Sequence, residues 1–264
     1  YASLPFQQEF LSFRNLIDAG KVPGDSVVVN GQSGDFISGN HIPNGLPAGE
    51  GSFEQALIDK HFSLWSSLKT PKRCQRIRDL LADDLREIDA PVDDKTLGWA
   101  CYEASEYQGR QAKYVANGQR LYEFFGYEWR LPLWDREFVE FWQRVPVDLK
   151  LGQALYRRVL TEWDFAGVWK GREYPPTVSP LWIRPLRLAA KVACAPFGRA
   201  AWHRLEKNWF EYWMDVVGNY AVVPYKTVRR DRRGHRNAIS WHVESYLQGI
   251  GLGYDGLPLD DSPP

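Results

Sequence analysis

The sequence holds little of what marks several protein classes. Its three cysteines, Cys74, Cys101 and Cys194, lie far apart and form no CxxC pair, which speaks against a disulfide framework or a zinc site. Basic and acidic residues balance at 33 each, so no global field draws the chain toward nucleic acid or an acidic membrane, and a charged partner must be met locally. No stretch approaches the roughly eighteen apolar residues of a membrane span, and no charged-then-apolar leader opens the chain. Internal repeats are absent, and β-branched runs are nearly so. These absences describe a globular chain for which the reducing cytoplasm is the natural compartment.

What is present is helical periodicity. Of the 264 residues 44% are hydrophobic, enough for one large core or two smaller packed units. Phe6, Phe10, Phe13, Leu16 and Ile17 recur at helical spacing ahead of Gly20, and the pattern returns over Phe53–Leu68. Thr70-Pro71 reads as the cap and first residue of a helix to about Glu87. A long helix is expected from Asp94 toward Phe125. Asp135 caps another, which Pro146 ends, and a further helix runs from about Gly152 to Trp163. Beyond a proline-rich region over 170–185, helices are expected near 186–192, 200–217 and 238–247, amid dense tryptophan. The organisation expected is a first unit over 1–165, a helical tryptophan-rich extension over 166–254, and a disordered tail over 255–264. Because helix starts almost at Tyr1, the chain is expected to begin within a longer protein.

One segment departs from this helical rule. In VVVNGQSGDFISGNHIP, Val27–Pro43, three β-branched residues lead into glycines at 31, 34 and 39 and a single carboxylate, Asp35. The strand reads as a buried strand of a parallel sheet. Such a strand and loop can hold phosphate, because glycine lets backbone N–H groups approach the anion while a carboxylate holds Mg²⁺. It can equally be a tight turn in which glycine serves dihedral angles and Asp35 caps the next segment.

A second segment bears on that choice. Within GYEWRLPLWDREF, Glu128, Arg130, Pro132, Leu133 and Asp135 fit a Glu-x-Arg-x-Pro-(Phe/Leu)-x-Asp pattern, and a segment resembling Lys-x-x-Leu-Arg follows at 153–157. In that order the segments resemble the synthetase domain of asparagine synthetases, whose pyrophosphate loop Gly31, Asp35 and Gly39 also match. The resemblance covers roughly residues 6–165. It implies an α/β fold: the C-terminal part of a parallel-sheet domain of the adenine-nucleotide α-hydrolase type, predominantly helical in this chain. It also implies ATP and Mg²⁺ as cofactors, and adenylation of a carboxylate with loss of pyrophosphate. Ammonia, free or from a glutaminase partner, then attacks to give an amide. Carried over residue by residue, it places Gly31, Gln32, Ser33, Gly34, Asp35 and Gly39 at the pyrophosphate, with Asp35 as metal ligand. Glu128, Arg130 and Asp135 fall at the substrate, and Gln153 and Arg157 at the chemistry.

Departures from the pattern narrow the expectation. The family's Ser-Gly-Gly-x-Asp-Ser loop and its glutaminase domain are both missing from the sequence. Gln32 stands for the usual glutamate and Gln153 for the usual lysine, with Lys150 three residues earlier as an alternative cation. Loss of such electrostatic help typically costs about a hundredfold in rate. The divergence resembles synthetase-like proteins of surface-polysaccharide genes, so the acceptor is expected to be aspartate or a sugar acid.

Other features carry competing readings. The basic run Lys226–Arg236 reads as a solvated loop or phosphate-facing lid, or as a contact for nucleic-acid or lipid phosphate. The stretch from Trp182 to Trp213 alternates basic and large apolar residues, as core-facing helices and interfacial helices both do. His41 either faces a phosphate or satisfies local hydrogen bonds, while His203, His235 and His242 lack metal-ligand spacing. The alternatives to a ligase are a non-catalytic helical interaction module and a peripheral membrane protein.

Overall fold

A computed structural model describes residues 8–168, 180–214 and 223–259. The chain divides into two compact units, with Ser63–Thr70 belonging to the second although flanked by the first. The first unit contains α1 (Gln8–Asp18), β1 (Val27–Val29), α2 (Gly34–Ile37), α3 (Phe53–His61), α4 (Pro71–Arg86), α5 (Gly98–Glu106), α6 (Arg120–Phe124), β2 (Glu128–Arg130), α7 (Arg136–Arg144), α8 (Val147–Lys150) and α9 (Ala154–Trp163). Between α5 and α6 runs a π-helical stretch, Tyr107–Ala116.

Local signals explain several boundaries. The Ser52 hydroxyl accepts from the Gln55 amide to open α3, and the Asp135 carboxylate accepts from the Glu137 and Phe138 amides to open α7. Pro71 occupies the first position of α4, where its missing N–H costs nothing. Leu46, Phe53, Leu57, Leu85, Cys101 and Tyr102 form one core of this unit; Phe36, Ile37, Trp142 and Val145 form another. The expected long helix from Asp94 is interrupted: a 3-10 turn precedes α5, and the ladder then widens to π after Glu106.

β1 and β2 pair in parallel, Val27 opposite Glu128 and Val29 opposite Arg130. The expectation of a buried strand fails, since Val27 is 46% and Val29 66% exposed. In parallel register, paired residues share a face. Val27, Val29, Glu128 and Arg130 therefore form an open face, and only Val28 and Trp129 turn inward. β2 escaped sequence reading because Glu-Trp-Arg carries no β-branched residue.

The second unit holds α10 (Ile183–Cys194), α11 (Gly198–Trp209), α12 (Tyr225–Arg230) and α13 (Ala238–Gly249). Its core is Trp65, Val228, Ala238 and Trp241. The helix expected through Leu68 stops at His61 because the following backbone pairs elsewhere: the Ser66 amide donates to the Gly234 carbonyl at 2.8 Å, and the Arg236 amide to that of Leu64 at 2.8 Å. Nor is the basic run a solvated loop throughout. It begins as α12, and Arg233 then stacks its guanidinium 4.1 Å from the Trp65 ring and 4.6 Å from Tyr254 while binding Glu244 at 2.6 Å. Residues 256–259, expected to be disordered, fold back with Leu252 bridged to Pro258; the proline-rich 169–179, 215–222 and 260–264 lie outside the described residues. Among the described residues no helix is long and apolar enough to cross a membrane.

Candidate functional site

The first unit gathers its polar residues where the strand pair gives way to loops. After β1 the chain turns sharply: the Gln32 amide donates to Asn30 Oδ1, and Ser33 takes φ +71°, conformation uncommon outside glycine. Buried Ser33 donates to Gln111 Oε1 at 2.7 Å and accepts from Trp134 Nε1 at 3.0 Å. Its hydroxyl thus ties the loop to the π-helical stretch and to the segment after β2. Gly34 packs closely on the segment after β2, since a Cβ there would lie 2.7 Å from Leu133 Cδ1 and that side chain would have to shift. Gly39 is needed twice over, at φ +95° and with a Cβ position 2.3 Å from the Lys150 carbonyl oxygen. Gln153 Nε2 donates to Ser38 Oγ at 2.7 Å. The loop over 31–41, the segment over 131–135 and the start of α9 therefore converge.

Asp35, in the first turn of α2, remains half-exposed. One carboxylate oxygen accepts from the Phe36 amide at 2.8 Å, and the other from His41 Nε2 at 3.1 Å. On its far side His41 Nδ1 donates to Glu106 Oε2 at 2.7 Å. Two carboxylate acceptors require a proton on each ring nitrogen, so His41 is an imidazolium here. Burial opposes that charge, yet the bonds to Asp35 and Glu106 prevail and raise its pKa. Asp35 is lowered, chiefly by its bond from His41.

Glu106 is the centre of the cluster. Its side chain is fully buried and also receives His61 Nε2, Lys60 Nζ at 2.8 Å and the Tyr102 hydroxyl at 3.2 Å. Burial alone would raise its pKa, but the bonds from His41, His61 and Lys60 outweigh that penalty and hold it far below the carboxylate range. Desolvation lowers Lys60, and the Arg110 charge adds to the positive potential felt by Asp35 and Glu106's neighbours. These groups come from two element ends: Lys60 and His61 close α3, and Arg110 lies in the first turn of the π segment, a feature common at functional sites.

Sequence reasoning missed Lys60, His61, Glu106, Arg110 and Gln111. The one available signal was an acid on an apolar stripe, since Glu106 lies four residues beyond buried Tyr102. No family model matches the chain, and no curated protein or solved structure matches it either.

The remaining sequence-derived residues are placed less centrally. Gly31 has open space where a Cβ would stand, and Gln32 is half-buried. Glu128 and Arg130 bind each other at 2.8 Å on the open sheet face. The Asp135 carboxylate is engaged in capping α7, and Arg157 is exposed on α9. Lys150 does not stand in for a lysine at 153: its ammonium is buried and bound to Glu103 at 2.6 Å. Among the described residues no three His, Cys, Asp or Glu side chains cluster as a metal site.

Proposed function

We propose that the chain contributes to an ATP-dependent, amide-forming ligase similar to the synthetase domain of asparagine synthetases. The observation that supports this reading is the convergence of segments far apart in sequence: Gly34 against Leu133, Gly39 against the Lys150 backbone, and Ser38 with Gln153. That is the meeting the three resembling motifs would require. The donor set fits Mg²⁺ on one side only, because Asp35 offers a single half-exposed carboxylate. A magnesium ion held by Asp35 would take its other ligands from phosphate oxygens and water, and would neutralise charge on departing pyrophosphate. Around it, His41 fixes the Asp35 carboxylate, Glu106 fixes His41, and Lys60 and Arg110 supply positive potential that the glutamine at 153 does not. The acceptor is a carboxylate, either aspartate or a sugar acid, and ammonia is the nucleophile.

The test is carboxylate-dependent pyrophosphate release by the protein as encoded, first with aspartate and then with uronic acids. Asp35→Asn should lower the rate about a hundredfold while leaving the circular dichroism spectrum intact. An unchanged rate would remove Asp35 from the chemistry. A second reading, a non-catalytic helical module, is favoured by the internal bonds that occupy Ser33 and Gln153. Silence with every carboxylate would establish it over the first.

A further inference from the structure

The second unit carries a surface that the ligase reading leaves unused. At 3.6 residues per turn, Pro185, Leu186, Leu188, Ala189, Val192 and Ala193 fall on one continuous face of α10. All are exposed, Leu188 at 64% and Val192 at 65%. The same helix buries Ile183 on its opposite side. Arg184 and Lys191 border the apolar face, and Leu181 at 76% and Phe197 at 76% extend it beyond both helix ends. Monomeric surfaces seldom leave so continuous an apolar strip uncovered.

Next to this strip the unit has two adjoining hollows. One, about 430 Å³, is apolar and runs between α10 and α11, with Trp182, Leu186, Leu205, Trp209 and Trp213 in its walls. The other, about 700 Å³, is basic, with Lys226, Arg229, Arg230 and Arg232 in its walls. Trp209 belongs to both, and the Arg229 guanidinium stacks 3.6 Å from its ring. Among the described residues, the one acid lining the basic hollow, Asp231, is bound by Arg233 at 2.8 Å, and Glu244 is bound by the same arginine. The excess positive charge is therefore local, although the whole chain is neutral.

We infer that this unit docks on an anionic phospholipid surface, with α10 lying in the interface and the basic hollow receiving a lipid phosphate. Charge complementarity decides the occupant. An apolar strip alone would suit a second copy of the chain, but a strip bordered by cations and joined through a tryptophan to a basic hollow suits an anionic headgroup beside its acyl chain. The docking stands independently of the ligase reading, since no residue of the first unit enters it.

The test is flotation of the intact chain with vesicles of phosphatidylcholine alone and of equimolar phosphatidylcholine and phosphatidylglycerol. Binding is expected only to the anionic vesicles, with a blue shift in tryptophan emission and reversal by salt. The exposed pair Leu188→Asp, Val192→Asp and, separately, Arg229→Glu, Arg232→Glu should each lower partitioning about tenfold or more. Circular dichroism would establish that each variant is folded. No flotation at low salt overturns the inference, as does equal binding to neutral vesicles. Binding of inorganic phosphate that the arginine variants lose, without any flotation, would make the hollow a soluble-anion site instead. A concentration-dependent dimer dispersed by Leu188→Asp, Val192→Asp would assign the strip to a second copy.

Discussion

At the scale of single residues, Glu106 illustrates how a buried charge is retained. Its carboxylate is removed from water, and the donors of His41, His61, Lys60 and Tyr102 replace that solvation. Replacing Glu106 takes away the one buried acceptor that His41, His61 and Lys60 share. Glu106→Gln should therefore destabilise the fold by about 3–5 kcal/mol in denaturant unfolding. It should also lower the titration midpoint of His41, followed by NMR of the imidazole carbon-bound protons, because a carboxylate that favours the imidazolium has gone. The sign of the pH effect follows from the raised pKa of His41. Its contribution to stability is fully present below the unfolded value of 6.5 and is lost as pH rises through the folded midpoint above it. A His41 midpoint unmoved by Glu106→Gln would show that the two do not interact in solution.

At the scale of elements, the loop after β1 is defined by where its backbone passes. Gly39→Ala meets both a positive φ and the Lys150 carbonyl oxygen, so a loss of about 2–4 kcal/mol is expected from chemical denaturation. Gly31→Ala, with open space around it, should leave stability within about 0.5 kcal/mol and so serves as the control. The contrast shows what was legible in the sequence. Gly39 with its positive φ, the Asp135 cap and Pro71 at a helix start answer local backbone demands, and local demands leave local signatures. Glu106, His61 and Lys60 meet only through tertiary packing, so nothing near each residue announces the others. Trp65 and Leu68 continued the periodicity of α3 while belonging to the other unit, and the apolar pattern alone could not tell the two apart.

For the whole molecule, the units differ in how they meet acid. His235, 8% exposed in the second unit, has its pKa lowered to about 4 by burial first and then by the Lys207 charge. A histidine held neutral in the fold but free to protonate when unfolded stabilises fully above 6.5, and the increment is lost as pH falls toward 4. That loss amounts to about 3 kcal/mol. Tryptophan fluorescence should report acid unfolding of this unit in that window, and His235→Leu should flatten the dependence; an unaltered profile would place the acid sensitivity elsewhere. The parallel pairing of Val27 with Glu128 has a consequence of another kind, for the order of folding. It joins positions about a hundred residues apart, so its loop-closure entropy must be met before three short rungs can repay it. The helices between the strands pack on one another across shorter separations, in the core of Leu57, Leu85 and Tyr102, and are expected to form earlier. Segments that depend on β2, among them the contacts of the loop over 31–41 with Leu133 and Trp134, are therefore expected to order after the helices, a sequence that pulsed hydrogen exchange would read.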